Sequence, residues 1–283
     1  MARGKKHTSS HRSKASSQGV QAKKHLGQHF LKDEHIAQKI ASILVLDQTN
    51  NVLEIGPGTG VMTKYLVEQP IDLIAMDLDR ESIDYLNREL KPLVDLKSSI
   101  NSFEVIYGDF LKFDLDQLFT KQQFAIIGNF PYNISSQIVF KTLEHKERIP
   151  EFSGMFQKEV AKRICAEPGS KTYGILSVLV QAYYNAEYLF TVPPGVFNPP
   201  PKVDSGVLRL IRKDHLDLGC DDRMFFKVVK TAFNQRRKTL RNSLKSLIPN
   251  AIVKEDAIFD KRPEALGVND FVSLTKILSD DTI

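Results

Sequence analysis

Short apolar runs alternate along this chain with longer stretches in which apolar positions recur at three- and four-residue spacing. Val52-Leu53-Glu54-Ile55, Ile71-Asp72-Leu73-Ile74-Ala75-Met76, Phe103-Glu104-Val105-Ile106-Tyr107 and Phe124-Ala125-Ile126-Ile127-Gly128 read as strands, because near-continuous apolar runs suit strands buried on both faces. Helical spacing marks 33–45, 60–68, 80–90, 135–146, 157–166 and 173–185. This alternation predicts an α/β fold whose parallel sheet is covered on both faces. Segments 186–193 and 204–212 read as late strands around a proline-rich loop, 193–201, placed to close over a substrate. From about 219 only helical patterns appear, at 221–233, 236–248 and 267–279, with no internal repeat. The expected organisation is a main domain over 23–213 and a small helical domain over 219–283, preceded by a basic, disordered tail over 1–22 whose apolar side chains are too few to offset ordering entropy.

The predicted strands end on residues that bind ligands. The first runs into Gly56-Pro57-Gly58-Thr59-Gly60, where glycines let the backbone approach a ligand closely. A dinucleotide fingerprint would place its third glycine at 61, which is Val61, so NAD is disfavoured. The second strand ends at Asp77, suited to accepting two ribose hydroxyls, and the third at Gly108-Asp109-Phe110, where a carboxylate and a ring could hold an adenine. Open α/β sheets bind ligands at the carboxyl ends of their strands, and four successive ends here carry ligand-type residues.

The fourth end, Asn129-Phe130-Pro131-Tyr132, combines a carboxamide, a rigid turn and an aromatic face. An exocyclic amine is a poor nucleophile because its lone pair is delocalised into the ring. The Asn129 oxygen and a backbone carbonyl held by Pro131 could accept both N–H bonds and favour pyramidal nitrogen, while Tyr132 stacks on the base. Taken alone, the same four residues also suit an ordinary strand-to-helix turn.

Charge adds a second surface. The net charge of +5 conceals two acid-free segments, 1–32 with eight Lys/Arg and 223–254 with nine; together they carry +17 and leave −12 on the rest. Concentrated basic charge on an acidic body suits a polyanion. In 223–254, apolar residues from Phe225 to Leu247 supply a buried side, leaving Arg236, Arg237, Lys238 and Arg241 to point outward. No apolar stretch approaches the roughly 20 residues of a membrane span, and no secretory signal is present, so a soluble, cytoplasmic protein is expected. Cys165 and Cys220 form no C-x-x-C or zinc set, and His7 and His11 lie in a Ser/Lys tail, so neither a disulfide nor a metal is expected.

The order G-P-G-T-G, acid after strand two, G-D-F, then N-F-P-Y resembles the S-adenosylmethionine-dependent ribosomal RNA adenine N6-dimethyltransferases. So do Leu26-Gly27-Gln28-His29-Phe30-Leu31, Met155 to Arg163, Pro168-Gly169-Ser170-Lys171, Tyr173 to Val178, Val192 to Ser205 and Arg236-Arg237-Lys238-Thr239-Leu240. The resemblance spans about 23–280 and is strongest to the small-subunit branch, through P-G-S-K and P-P-P-K-V-D-S; the large-subunit resistance methylases share the first domain. It implies a Rossmann-like sheet with a small C-terminal all-helical domain. The implied activity moves methyl groups from S-adenosylmethionine to N6 of two adjacent adenosines in a hairpin near the 3′ end of small-subunit rRNA, during ribosome biogenesis. The implied partner is an immature 30S-type particle, and the enzyme is expected to be a monomer.

By the same resemblance His29 and Leu31 border the cofactor, and Gly56, with Gly58 and Gly60 in the same loop, contacts its amino-acid end. Asp77 takes its ribose, Asp109 its adenine amino group with Phe110 beside the ring, and Asn129 lies between cofactor and target. Phe197 stacks on the flipped adenine opposite Tyr132. Many members have Asn where this chain has His29, and Glu where it has Asp77. Two other readings stay open: a non-catalytic ribosome-assembly factor, and a DNA adenine or protein glutamine methylase, since both of those chemistries use an Asn-Pro-aromatic motif.

Overall fold

The computed structural model describes residues 20–95, 99–248 and 256–280. Most of the expected tail, residues 1–19, and the end of the second basic segment, 249–254, lie outside the described residues. The first half of the chain lays down β1 (Phe30–Leu31), α1 (Glu34–Ala41), β2 (Asn51–Ile55), α2 (Thr63–Leu66), β3 (Asp72–Asp77), α3 (Arg80–Tyr85), α4 (Lys91–Val94), β4 (Ser102–Tyr107) and β5 (Ala125–Asn129). There follow α5 (Ser135–Glu144), β6 (Glu151–Gln157), α6 (Lys158–Ile164), α7 (Ile175–Tyr183), β7 (Tyr184–Val192), β8 (Phe197–Asn198), β9 (Ser205–Arg212), α8 (Asp222–Asn234), α9 (Leu240–Ser243) and α10 (Val268–Asp280).

Seven strands form one sheet in the order β4-β3-β2-β5-β6-β9-β7. The first five run parallel, as helical crossovers require. β9 is antiparallel to both neighbours, so the sheet is mixed rather than wholly parallel. The physical reason lies in the connection 193–204, which holds no crossover helix and returns the chain alongside β7. Within it β8 pairs with β1 in a separate two-stranded ribbon, Leu31 opposite Phe197.

The periodicity did not reveal β6. Its Gly154 and Ser153 interrupt the apolar run, and α6 follows without a break, yet the strand is central and buried. Two predicted helices also shorten. The stretch after the glycine loop is helical only at α2, and 236–248 is helical only at α9, with turns on either side. The 80–90 segment begins as α3, widens to a π-turn at Leu86–Leu90, and restarts as α4 around Pro92, which has no N–H to donate.

Alternate strand residues serve opposite faces. Val52, Leu73, Ala125, Ile127 and Val207 pack beneath α1 and α2 in one cluster. Leu53, Ile55, Ile74, Ile126, Phe152 and Leu208 belong to the other, which continues through α5 and α7 into Phe225, Phe233, Phe271 and Leu274 of the C-terminal helices. The helical segment therefore shares a core with the sheet. Asp222 at the start of α8 fastens the junction, accepting from Lys146 Nζ at 2.9 Å and Tyr183 OH at 2.8 Å. No helix among the described residues is long and apolar enough to cross a membrane.

Phe130, just after β5, fixes the turn that follows. It stacks on Phe152 at 4.9 Å between centroids and leans on Phe156, also at 4.9 Å. Gly128 makes room, since a Cβ there would stand 2.6 Å from the Ile55 carbonyl and 2.8 Å from the Phe130 ring. Gly128→Ala is expected to destabilise the fold by about 1–3 kcal/mol through overpacking, read as a lower urea midpoint at unchanged slope.

Candidate active site

A cavity opens where the parallel strands end, on the edge that carries the glycine loop. β2 contributes Ile55, Gly56 and Gly58, β3 Met76, Asp77 and Leu78, and β4 Gly108, Asp109 and Phe110. β5 and its turn contribute Asn129, Phe130, Pro131 and Tyr132, and Leu26 to Phe30 cross over the top. The strand ends thus bring together most of the residues singled out in the sequence.

Gly56, Gly58 and Gly60 all take left-handed φ, at 70°, 56° and 74°. At Gly58 a side chain is excluded twice, by that φ and by the Phe30 ring 2.9 Å from where a Cβ would stand. A Cβ on Gly56 would meet nothing nearer than the Asn129 carbonyl at 3.8 Å, so its missing side chain is open space against the cavity. Asp77 holds the loop in place. Its Oδ2 accepts from Gly58 N at 3.1 Å and its Oδ1 from Asp79 N at 2.8 Å. Burial pushes the Asp77 carboxyl above its ordinary pKa, against these two amides, which favour the charged form.

Asn129 sits at the end of β5. Its Nδ2 donates to the His29 carbonyl at 2.9 Å, which leaves the side-chain oxygen without a partner among the described residues. Nor does any described donor reach the Phe130 carbonyl, while Pro131 closes the turn by accepting from Ile134 N at 3.2 Å. Tyr132 is half-buried and its hydroxyl is bonded to Ser205 Oγ. Burial raises its pKa and the Ser205 contact opposes the rise, so the ring is a neutral, fixed platform at physiological pH. The His29 ring stacks on it, 5.6 Å between centroids, and donates from Nδ1 to the Pro199 carbonyl at 2.8 Å.

Five predicted positions differ from the rest. Leu31 and Gly60 do not line this cavity. Leu31 is buried behind the loop, and Gly60 packs on Leu86 and Leu90. Phe197 was expected to face Tyr132 across a base, but its side chain is 1% exposed, packed in the α1-side cluster with its backbone paired to Leu31. A strand-pairing residue that lies inward presents no face to a ligand, and the proline-rich sequence concealed that ribbon. Among the four basic residues, Arg237 and Lys238 are exposed, but Arg236 reaches the Ser170 carbonyl at 3.3 Å and Arg241 pairs with Asp260 at 2.7 Å. A run of cations does not reveal which of them local acceptors will engage.

Sequence reasoning passed over Glu54. It lies in β2, wholly buried behind the loop beside Gly56, Thr59 and Asn129, and neither carboxylate oxygen has a hydrogen-bond partner. Burial pushes its pKa up to about 8; the nearby Thr63 hydroxyl acts the other way but is not aligned for a hydrogen bond, and the Asp77 charge adds to the rise. An acid inside an otherwise apolar strand was the available signal. Lys23 and Gln28 were also missed. Both donate to the Asp79 carboxylate, at 2.6 and 3.2 Å, and so fasten the segment that crosses the cavity.

The polar wall of the cavity is therefore made of acceptors, Asp77, Asp109, the Asn129 oxygen and a free carbonyl, with Glu54 buried behind it. Such a site favours a ligand rich in hydroxyl, amine and ammonium donors and disfavours one carrying phosphates. Among the described residues no group of three or more His, Cys, Asp or Glu is arranged to hold a metal ion.

A family model described as Ribosomal RNA adenine dimethylase matches residues 19–278. A Flavobacterium johnsoniae protein named Ribosomal RNA small subunit methyltransferase A is 58% identical over 264 residues, 93% of this chain and 98% of its own length. A protein of the same name from Parabacteroides distasonis is 57% identical over 262 residues, 91% of this chain and 94% of its own. Among solved structures, a dimethyladenosine transferase from Plasmodium falciparum is similar at TM-score 0.75 and 28% identity, covering 90% of this chain and 99% of that one. The 23S rRNA methyltransferase ErmE is similar at TM-score 0.64 and 25% identity, covering 88% of this chain and 99% of that one.

Glu54 sets a pH dependence. An acid whose folded pKa is raised stays neutral in the fold but ionises on unfolding above its ordinary value near 4.5, so stability falls from there up to about pH 8 and is flat beyond. Glu54→Gln should remove that slope, amounting to a few kcal/mol in order of magnitude. Urea unfolding of both proteins at pH 5 and pH 8 tests this; parallel losses in the two would exclude it.

Proposed function

The chain belongs to the ribosomal RNA adenine dimethylase family, and from that premise we propose that it transfers methyl groups from S-adenosylmethionine to N6 of two adjacent adenosines near the 3′ end of small-subunit rRNA. The carrying observation is the strand-end wall of acceptors that finishes at Tyr132 and at Asn129, whose side-chain oxygen has no partner among the described residues. The choice of small-subunit RNA rests on relatives named for that subunit at 58% and 57% identity, against 25% for the 23S enzyme. We place the protein on immature small subunits in the cytoplasm, acting as a monomer.

The residues present fit the cofactor. Its ammonium, ribose hydroxyls and adenine amine are all donors, and Asp77, Asp109 and the Asn129 oxygen are acceptors on the cavity wall beside a glycine loop with open space at Gly56. When bound, the group supplies a methyl already activated on a sulfonium. What the protein must supply is a positioned nucleophile. The adenine has to leave its stack, at a cost of a few kcal/mol, and stacking on the Tyr132 face returns roughly 1–3 kcal/mol. The Asn129 oxygen and the Phe130 carbonyl accept the two N6 hydrogens and draw the lone pair out of conjugation. The His29 carbonyl, by taking the Asn129 NH2, keeps the oxygen of that side chain turned to this task. Outside the cavity, Arg237 and Lys238 hold phosphates, while Arg236 and Arg241 brace the surface around them.

Asn129→Ala should cut turnover by about 10²–10³-fold, the usual effect of losing one preorganised polar contact, while the affinity for S-adenosylhomocysteine changes little. Methyl transfer from labelled donor to 30S-type particles measures the first and calorimetry the second; undiminished turnover would remove Asn129 from the chemistry. The double variant Arg237→Ala/Lys238→Ala should weaken RNA binding and reduce the slope of log affinity against log salt by about one to two. An unaltered slope in filter binding between 50 and 200 mM salt, a span on the order of that over which phosphate contacts respond, would take those residues out of the interface.

A further inference from the structure

Lys141 lies on α5, two turns beyond the start of the helix that follows Asn129 to Tyr132. Its ammonium is half-buried and donates to two backbone carbonyls across a gap in sequence, Leu111 at 3.2 Å and Phe113 at 2.6 Å. It also stands 5.4 Å from the centre of the Phe110 ring. These three contacts fall on the turn that leaves β4. Within that turn Asp109 is already committed: its carbonyl accepts from Lys112 and Phe113 N at 2.9 and 2.8 Å, and its Oδ1 from Leu111 N at 3.1 Å. The amides of Leu111, Lys112 and Phe113 are thereby satisfied, but no backbone amide among the described residues donates to the carbonyls of Leu111 and Phe113. A buried carbonyl left without a donor costs free energy, and an ammonium with three N–H bonds can serve two at once. Burial lowers the Lys141 pKa, and the carboxylates of Glu144, Asp109 and Asp114 oppose the fall.

Phe110 is 4% exposed yet lines the cavity together with Asp109, so the position of this turn sets one wall of the site. We infer that Lys141 is a positioning residue for the cofactor's base: it ties the Asp109–Phe113 turn to the helix behind Asn129, and so fixes the distance between the wall that holds the cofactor's purine and the wall that holds the target purine. The inference rests on the reading that the cofactor's adenine lies against Asp109 and Phe110. Lys141 touches neither reacting group, and acts through the turn. Without it the turn keeps its own hydrogen bonds but loses its fastening, and the contact most sensitive to its position is the one between Asp109 and the base edge.

The test compares S-adenosylhomocysteine with its hypoxanthine counterpart, S-inosylhomocysteine, which replaces the amino group facing Asp109 by a carbonyl. For Lys141→Met, calorimetry should show the affinity for S-adenosylhomocysteine falling about tenfold, the scale of one charge-assisted hydrogen bond, with a smaller loss for the inosine compound and hence a narrowed preference. Lys141→Arg, which keeps a cation and several donors, should restore most of the preference. RNA affinity should stay within about twofold in both. Lys141→Gln removes the charge but keeps a polar NH2, and reads the same ratio should the Met variant not fold. An unchanged affinity, or equal losses on the two nucleosides, overturns the assignment. If the unsubstituted protein bound neither nucleoside, the cofactor reading itself would be what failed.

Discussion

One hydrogen bond, from the Asn129 carboxamide to the His29 carbonyl, ties together parts of this site that lie 100 residues apart in the chain. It is made possible by register. β5 ends level with β2 and β3, because Gly128 pairs with Ile55 and Ile55 with Met76. Phe130 then dives into the aromatic cluster with Phe152 and Phe156, so the chain turns at Pro131 without freedom to shift. The segment holding His29 is anchored on one side by Lys23 and Gln28 on Asp79, and on the other by the β1–β8 ribbon. A carboxamide has a donor end and an acceptor end. Committing the donor to the main chain decides which end meets a ligand.

The electrostatics of the cavity follow from the same layout. Asp77 is stabilised by two loop amides and so shapes the loop as well as facing it. Glu54 has no such support and stays neutral near pH 7. Two buried acids on neighbouring strands thus take different roles: Asp77 braces the loop through its amide contacts, and Glu54 is a neutral carboxyl without a hydrogen-bond partner, whose burial costs stability.

Much of this was legible in the residues. Four apolar runs ending in G-P-G-T-G, Asp77, Asp109 and Asn129 were enough to locate the strand ends and the cavity, because a parallel sheet lines its strand ends up. β6 was not legible, since a strand buried on both faces needs no alternation, and Gly154 and Ser153 break its apolar run. Nor was the inward turn of Phe197, which depends on a two-residue ribbon with a partner more than 160 positions away. The basic run at 236–241 showed its charge but not its division of labour, because Ser170 and Asp260 approach it from elsewhere in the fold. In each case what the sequence lacked was a tertiary partner rather than a local preference.

The two charge patterns make sense only together. A polynucleotide offers phosphates, which are acceptors and anions, and bases, whose edges carry donors. An interior walled by Asp77, Asp109, the Asn129 oxygen and a free carbonyl disfavours the first and suits an exocyclic amine of the second. A surface carrying exposed Arg237 and Lys238 does the reverse. On the proposed function, cations outside and acceptors inside would keep the phosphate backbone at the surface, and both zones would be satisfied by one base turning out of its stack and entering alone. Sorting of this kind requires no base-specific contact on the surface. On that reading, recognition of the amine would fall to the turn that Pro131 closes, beside the carboxamide that His29 holds in place.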